Sequence, residues 1–101
     1  LSYRSSATKG VVNAKTLKIF PNPVKDTYFG LIAIDGLSTN ANFKITDING
    51  DLVYEGFAQG GQAIWDGKNK NGTRVGSGVY ILFSSDEIGK EKVEGKIVFI
   101  K

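Results

Sequence analysis

Residues 43–55 read FKITDINGDLVYE. In Phe43–Ile48 the apolar Phe43 and Ile45 alternate with Lys44 and Thr46, the period-two pattern of a strand with one buried face. Asn49-Gly50 follows, and both residues tolerate the positive φ of a tight hairpin turn. Leu52–Glu55 then returns antiparallel to the first strand. The stretch predicts a β-hairpin, and its neighbours on both sides follow the same pattern of short apolar segments broken by turn residues.

On the N-terminal side, Leu17–Phe20 reads as a strand stopped by Pro21-Asn22-Pro23. Each proline lacks an N–H, and each restricts the residue before it. Tyr28–Ile34 is a second strand, closed by Asp35-Gly36. On the C-terminal side come the strands Gln62–Trp65, Val79–Ser84 and Val93–Ile100, the last with Gly95 as an expected bulge. Asp66–Ser77 is a polar, glycine-rich loop and Asp86–Lys90 a turn. With no helical periodicity anywhere, the seven strands predict an all-β chain: an immunoglobulin-like (Ig-like) antiparallel β-sandwich of about seven strands. Trp65 is expected to anchor its core. Residues 1–16, LSYRSSATKGVVNAKT, lack sustained periodicity and read as a linker or the end of a preceding domain, leaving residues 17–101 as the sandwich. The absence of Met at position 1 suggests a piece of a longer polypeptide, with any export leader upstream.

The chain has 101 residues, enough for one core, and contains no His, Cys or Met. A Ser-His-Asp triad, a cysteine nucleophile, a His- or thiolate-based zinc site and a disulfide are all excluded. The remaining carboxylate candidates, Asp86, Glu87, Glu91 and Glu94, lie near Lys90 and Lys92, the pattern of a solvated surface. Ser84-Ser85 has no His partner. Asp66–Gly72 resembles a calcium loop faintly, but Lys68 and Lys70 stand where acidic ligands are needed, so Asx-type turns are expected instead. The net charge is +3. Residues 17–101 carry 10 basic and 10 acidic side chains, so the excess belongs to residues 1–16. The aromatics Tyr28, Phe29, Tyr54 and Phe57 are not interleaved with Arg, which argues against a nucleic-acid surface. The expectation is a domain that binds or supports rather than catalyses: no enzyme, no cofactor, no metal site and no nucleic-acid partner.

Five motifs follow one another in a distinctive order: Ile19-Phe20-Pro21-Asn22-Pro23-Val24, Ile45-Thr46-Asp47-Ile48-Asn49-Gly50, Trp65-Asp66-Gly67, Gly78-Val79-Tyr80 and Lys96-Ile97-Val98-Phe99-Ile100-Lys101. The set, covering Leu17 to Lys101, resembles the C-terminal sorting domain of the type IX (Por) secretion system of Bacteroidetes. The stretch from Trp65 to Tyr80, WDGKNKNGTRVGSGVY, is also similar to the Ig-like domain of flagellar hook-capping proteins, which would make the chain a scaffold module. The sorting resemblance implies an address carried through the periplasm to the cell surface, outer membrane or medium. Its implied partners are the type IX translocon and a surface sortase, with anionic lipopolysaccharide joined to the parent protein. Cleavage would fall in or before residues 1–16, although some members keep the domain as part of the surface machinery. The residues it points to for sorting and recognition are Pro21, Asn22, Pro23, Gly50, Gly78, Val79, Tyr80, Lys96, Ile97, Val98, Phe99, Ile100 and Lys101. The long apolar strand Val93–Ile100 also suggests a homodimer formed by terminal-strand exchange.

Overall fold

A computed structural model describes residues 17–85 and 92–101. The expectations for residues 1–16, for the Asp86–Lys90 turn and for Glu91 lie outside the described residues. Among those described there are eight strands: β1 (Lys18–Phe20), β2 (Val24–Lys25), β3 (Ile32–Asp35), β4 (Asn42–Asp47), β5 (Leu52–Phe57), β6 (Gln62–Trp65), β7 (Gly78–Ser85) and β8 (Lys92–Ile100). They form a three-stranded sheet in the order β1-β3-β6 and a five-stranded sheet in the order β2-β8-β7-β4-β5. This is the all-β sandwich that the alternating pattern predicts.

Alternation explains which side chains meet between the sheets. The small sheet contributes Ile32, Ile34, Ala63 and Trp65; the large one contributes Val24, Phe43, Ile45, Val53, Leu82, Ile97 and Phe99. Trp65 is fully buried. Burial of each large apolar side chain contributes about 1.5–3 kcal/mol. The indole Nε1 donates to the Lys68 carbonyl at 2.9 Å, so the only polar atom of the Trp65 side chain is satisfied. Around it the rings of Tyr54, Tyr80 and Phe99 lie with centroids 6.4, 6.2 and 5.5 Å away.

Three local readings change. Tyr28–Leu31 is not strand: β3 begins only at Ile32. The Tyr28 ring folds over Gly30, where a Cβ would lie 2.5 Å from the phenol oxygen, and its hydroxyl donates to the Leu31 carbonyl at 2.7 Å. Second, Val24–Lys25 forms a short parallel pair with Phe99–Ile100, a strand hidden in sequence by the prolines beside it. Third, Gly95 is not a bulge, because β7 and β8 pair without interruption from Gly78↔Phe99 to Ser85↔Lys92. Gly95 instead leaves room for the Leu17 side chain, which a Cβ there would strike. The register shift lies elsewhere, between β4 and β5 at Ile45/Thr46, and turns Val53 into the core.

Two loops share one turn design. Asp47 Oδ1 accepts the N–H groups of Asn49 and Asp51 at 2.9 and 3.0 Å. Asn69 Oδ1 accepts those of Asn71 and Thr73 at the same two distances. In each, the glycine N–H, Gly50 or Gly72, donates to the carbonyl of the capping residue at 3.0 Å. Asp66 Oδ1 likewise accepts the Lys68 N–H at 3.0 Å, so the Asp66–Gly72 loop is built from Asx-type bonds, as its composition predicts.

Candidate functional site

The motif residues converge on one end of the five-stranded sheet. The Phe20–Pro21 and Asn22–Pro23 peptide bonds are cis. Between them the Asn22 side chain lies along the open edge of β8. Its Nδ2 donates to the Lys96 carbonyl at 2.8 Å, and its Oδ1 accepts the Val98 N–H at 3.0 Å. One side-chain amide thus replaces a peptide group of a missing neighbour strand and satisfies a donor and an acceptor that would otherwise form an unprotected edge. The next two residues, Val24 and Lys25, take over as a true strand against Phe99 and Ile100.

On the other flank of β8, Gly78, Val79 and Tyr80 pair with Phe99, Val98 and Ile97. Gly78 has φ 151°. Tyr80 donates its hydroxyl to the Gly76 carbonyl at 2.8 Å and packs edge-on against Phe99 with centroids 5.4 Å apart. Burial pushes the phenol above its ordinary pKa, and the negative charge of Asp47, its cross-strand partner, adds to that. Asp47 in turn caps the turn that carries Gly50, whose φ of 89° lies in the left-handed region that glycine adopts without steric cost.

The structure divides the motif residues into two groups. Ile97 and Phe99 are buried, while Pro21, Val79, Tyr80 and Val98 are partly buried. Asn22, Pro23, Gly50, Gly78, Lys96, Ile100 and Lys101 are exposed. The first group supports the end of the sheet, and the second is its outward surface. The chemistry-bearing candidates are placed differently. The Ser84 hydroxyl is buried and donates to the Asn42 carbonyl at 3.0 Å, whereas Glu94 projects from the exposed face of β8. Asp86, Glu87 and Glu91 lie outside the described residues. Among the described residues no cluster of three or more His, Cys, Asp or Glu is placed to hold a metal ion.

Arg74 was not singled out by sequence. Its guanidinium carbon lies 5.0 Å from the Phe29 ring centroid and 5.5 Å from that of Phe99, placing it at both rings. It joins the Asp66–Ser77 loop, the Tyr28–Leu31 loop and the end of β8. The available signal was its rarity: the chain holds two arginines, and Arg74 alone lies in the sandwich.

Comparison with known proteins gives a family match over residues 18–101, described as a secretion system C-terminal sorting domain. No curated protein sequence matches the chain. A solved structure of PorZ, an essential bacterial surface component of the type-IX secretion system of Porphyromonas gingivalis, matches with a TM-score of 0.78 at 28% identity. That match covers 91% of this chain and 13% of PorZ. A structure of dimeric latent PorU from the same organism shares the fold with a TM-score of 0.52 at 20% identity, over 82% of this chain and 9% of PorU. The chain therefore spans only a small part of either solved protein.

Proposed function

The chain belongs to the secretion system C-terminal sorting domain family and is a sorting signal for type IX secretion, and we propose that the translocon reads it at the sheet end described above. The sorting signal implies export toward the cell surface or into the medium. In this reading the parent protein folds in the periplasm and a translocon component docks on the exposed Asn22, Pro23, Gly78, Lys96, Ile100 and Lys101. A surface sortase then acts upstream of the sandwich and joins the parent to anionic lipopolysaccharide. The domain serves as an address without catalysing a reaction.

The observation that carries this proposal is the double hydrogen bond of Asn22 to β8. It joins the two most widely separated motifs into one surface, so a receptor can read both only on the folded domain. The test is a fusion of residues 1–101 to an exported reporter in a type IX-competent bacterium. Surface display of the fusion, and its retention in the periplasm when Asn22→Ala and Lys96→Glu are combined, is the expected result. Retention of the unmodified fusion would sink the reading.

A second reading concerns the parent protein. The 28% identity to a segment of PorZ, itself a surface component of the machinery, supports a parent that stays at the surface as part of the apparatus. Deleting the parent gene separates the two. Loss of surface display for other type IX substrates indicates machinery, whereas loss of the parent alone indicates cargo.

A further inference from the structure

Resting on the sorting reading, we propose that the β2–β3 loop around Tyr28, Phe29 and Leu31 is the anchor by which the domain docks on an acidic protein surface. Phe29 is 77% and Leu31 56% exposed, on a loop of only a few residues. Apolar groups displayed this openly beside one another mark interaction sites more often than chance. The loop is also pre-set. The Tyr28 N–H donates to the Lys25 carbonyl at 2.9 Å, its hydroxyl holds Leu31, and its ring covers Gly30. A pinned aromatic loses little freedom on binding, which is how a few side chains dominate an interface.

The surroundings specify the partner. Pro21, Pro23, Lys25, Thr27 and Tyr28 line a shallow groove of about 330 Å³ beside the loop, so the motif prolines form its wall. Arg74 carries its charge against Phe29, and a backbone bridge sets Lys68 opposite Arg74 across the neighbouring loop. Lys68, Lys70 and Arg74 on the neighbouring loop, with Lys25 at the end of β2, stand against Asp26 and Asp66. Asp66 is already engaged with the Lys68 N–H. The occupant that fits is a protein segment bearing carboxylates around an apolar socket. An anionic glycan shares the charge, and the open pair of Phe29 and Leu31 is what favours a protein surface with an apolar socket.

A second apolar surface supplies the control. Phe20, Ala33 and Ile64 are cross-strand neighbours on the outer face of the small sheet, and Ile64 is 57% exposed. Ile64 is not among the residues that line the proline-walled groove.

The experiment uses the full-chain reporter fusion and measures reporter at the cell surface. The F29S/L31S double variant is expected to lower delivery about tenfold or more, the scale of losing an interface anchor, while the purified chain keeps a cooperative thermal unfolding transition, lowered only slightly by loss of the Arg74–Phe29 contact. K25E should reduce delivery and K25R retain it. I64S should be delivered as the unmodified chain is. A photo-crosslinker at position 29 should capture a translocon protein through an acidic segment. Normal delivery of both F29S/L31S and K25E overturns the proposal, as does equal loss in I64S or a cross-link to glycan. If the unmodified fusion is itself retained, the sorting reading falls and this proposal falls with it. If only the variants behave as the unmodified chain, the sorting reading stands.

Discussion

At the scale of single residues, Asn22 shows how one side chain completes a sheet. Asn22→Ala removes both of its hydrogen bonds and reopens the β8 edge. A loss of about 1–3 kcal/mol is expected from two bonds at a solvent-reachable edge, read from urea unfolding. Asn22→Asp retains the acceptor for the Val98 N–H but places a carboxylate against the Lys96 carbonyl, so it should rescue little. Tyr80 gives a pH signature. Its phenol is raised above the ordinary 10.0, first by burial and then by the Asp47 charge. The folded chain thus holds that proton more tightly than the unfolded chain does. The associated stability is fully present below about pH 10 and is lost as pH rises through the folded value. Tyr80→Phe should therefore lose less stability above pH 10 than the unmodified chain, measured as the difference between their unfolding free energies across that range. Convergence of the two slopes would show that other groups govern alkaline unfolding.

At the scale of elements, the contact between Leu17 and Gly95 can be isolated. Gly95→Ala drives a methyl into the Leu17 side chain. A cost of about 1–3 kcal/mol is expected for such overpacking. The cost should shrink when Leu17→Ala is combined with it, giving a positive coupling in a double-mutant cycle. Additive effects would mean the glycine is needed for its backbone alone. This pair also shows where sequence reading stops. The glycine was visible, but a bulge and a close approach from another sheet leave the same local trace, and only the packing of β1 over β8 separates them. The hairpin of Phe43–Glu55 was legible because alternation and Asn49-Gly50 agree. Gln62–Trp65 was legible with its bounds because Gly60-Gly61 and Asp66-Gly67 punctuate a short apolar run on both sides. Tyr28–Leu31 misled because an apolar run bounded by turns looks like a buried strand, while a ring lying over Gly30 leaves no periodic signal. The motif residues could be picked out in order, but their meeting at one sheet end depends on the Asn22 bridge and on a two-residue strand between prolines, neither of which has a period.

At the scale of the whole molecule, the two sides of the sandwich are unequal, and this bears on self-association. One side is closed, since β8 is flanked by β2 and by the Asn22 amide. The other ends in β5, a six-residue strand with no outer partner among the described residues and with Glu55 as its one charge. Exchange of β8 between two copies requires removing Ile97 and Phe99 from the core and breaking the pairing with β7 along its whole length. Such a dimer forms only from chains that have opened globally, and its return to monomer is limited by the same unfolding step. Contact through β5 opens nothing and equilibrates rapidly. The two routes therefore differ in history dependence. Native monomer that is simply concentrated should remain monomeric by light scattering, while chain refolded at high concentration should yield a dimer that survives dilution. A dimer that appears on concentrating native protein and vanishes at once on dilution would place the contact at the β5 edge, and Glu55→Lys would then change its strength while leaving the refolded species untouched.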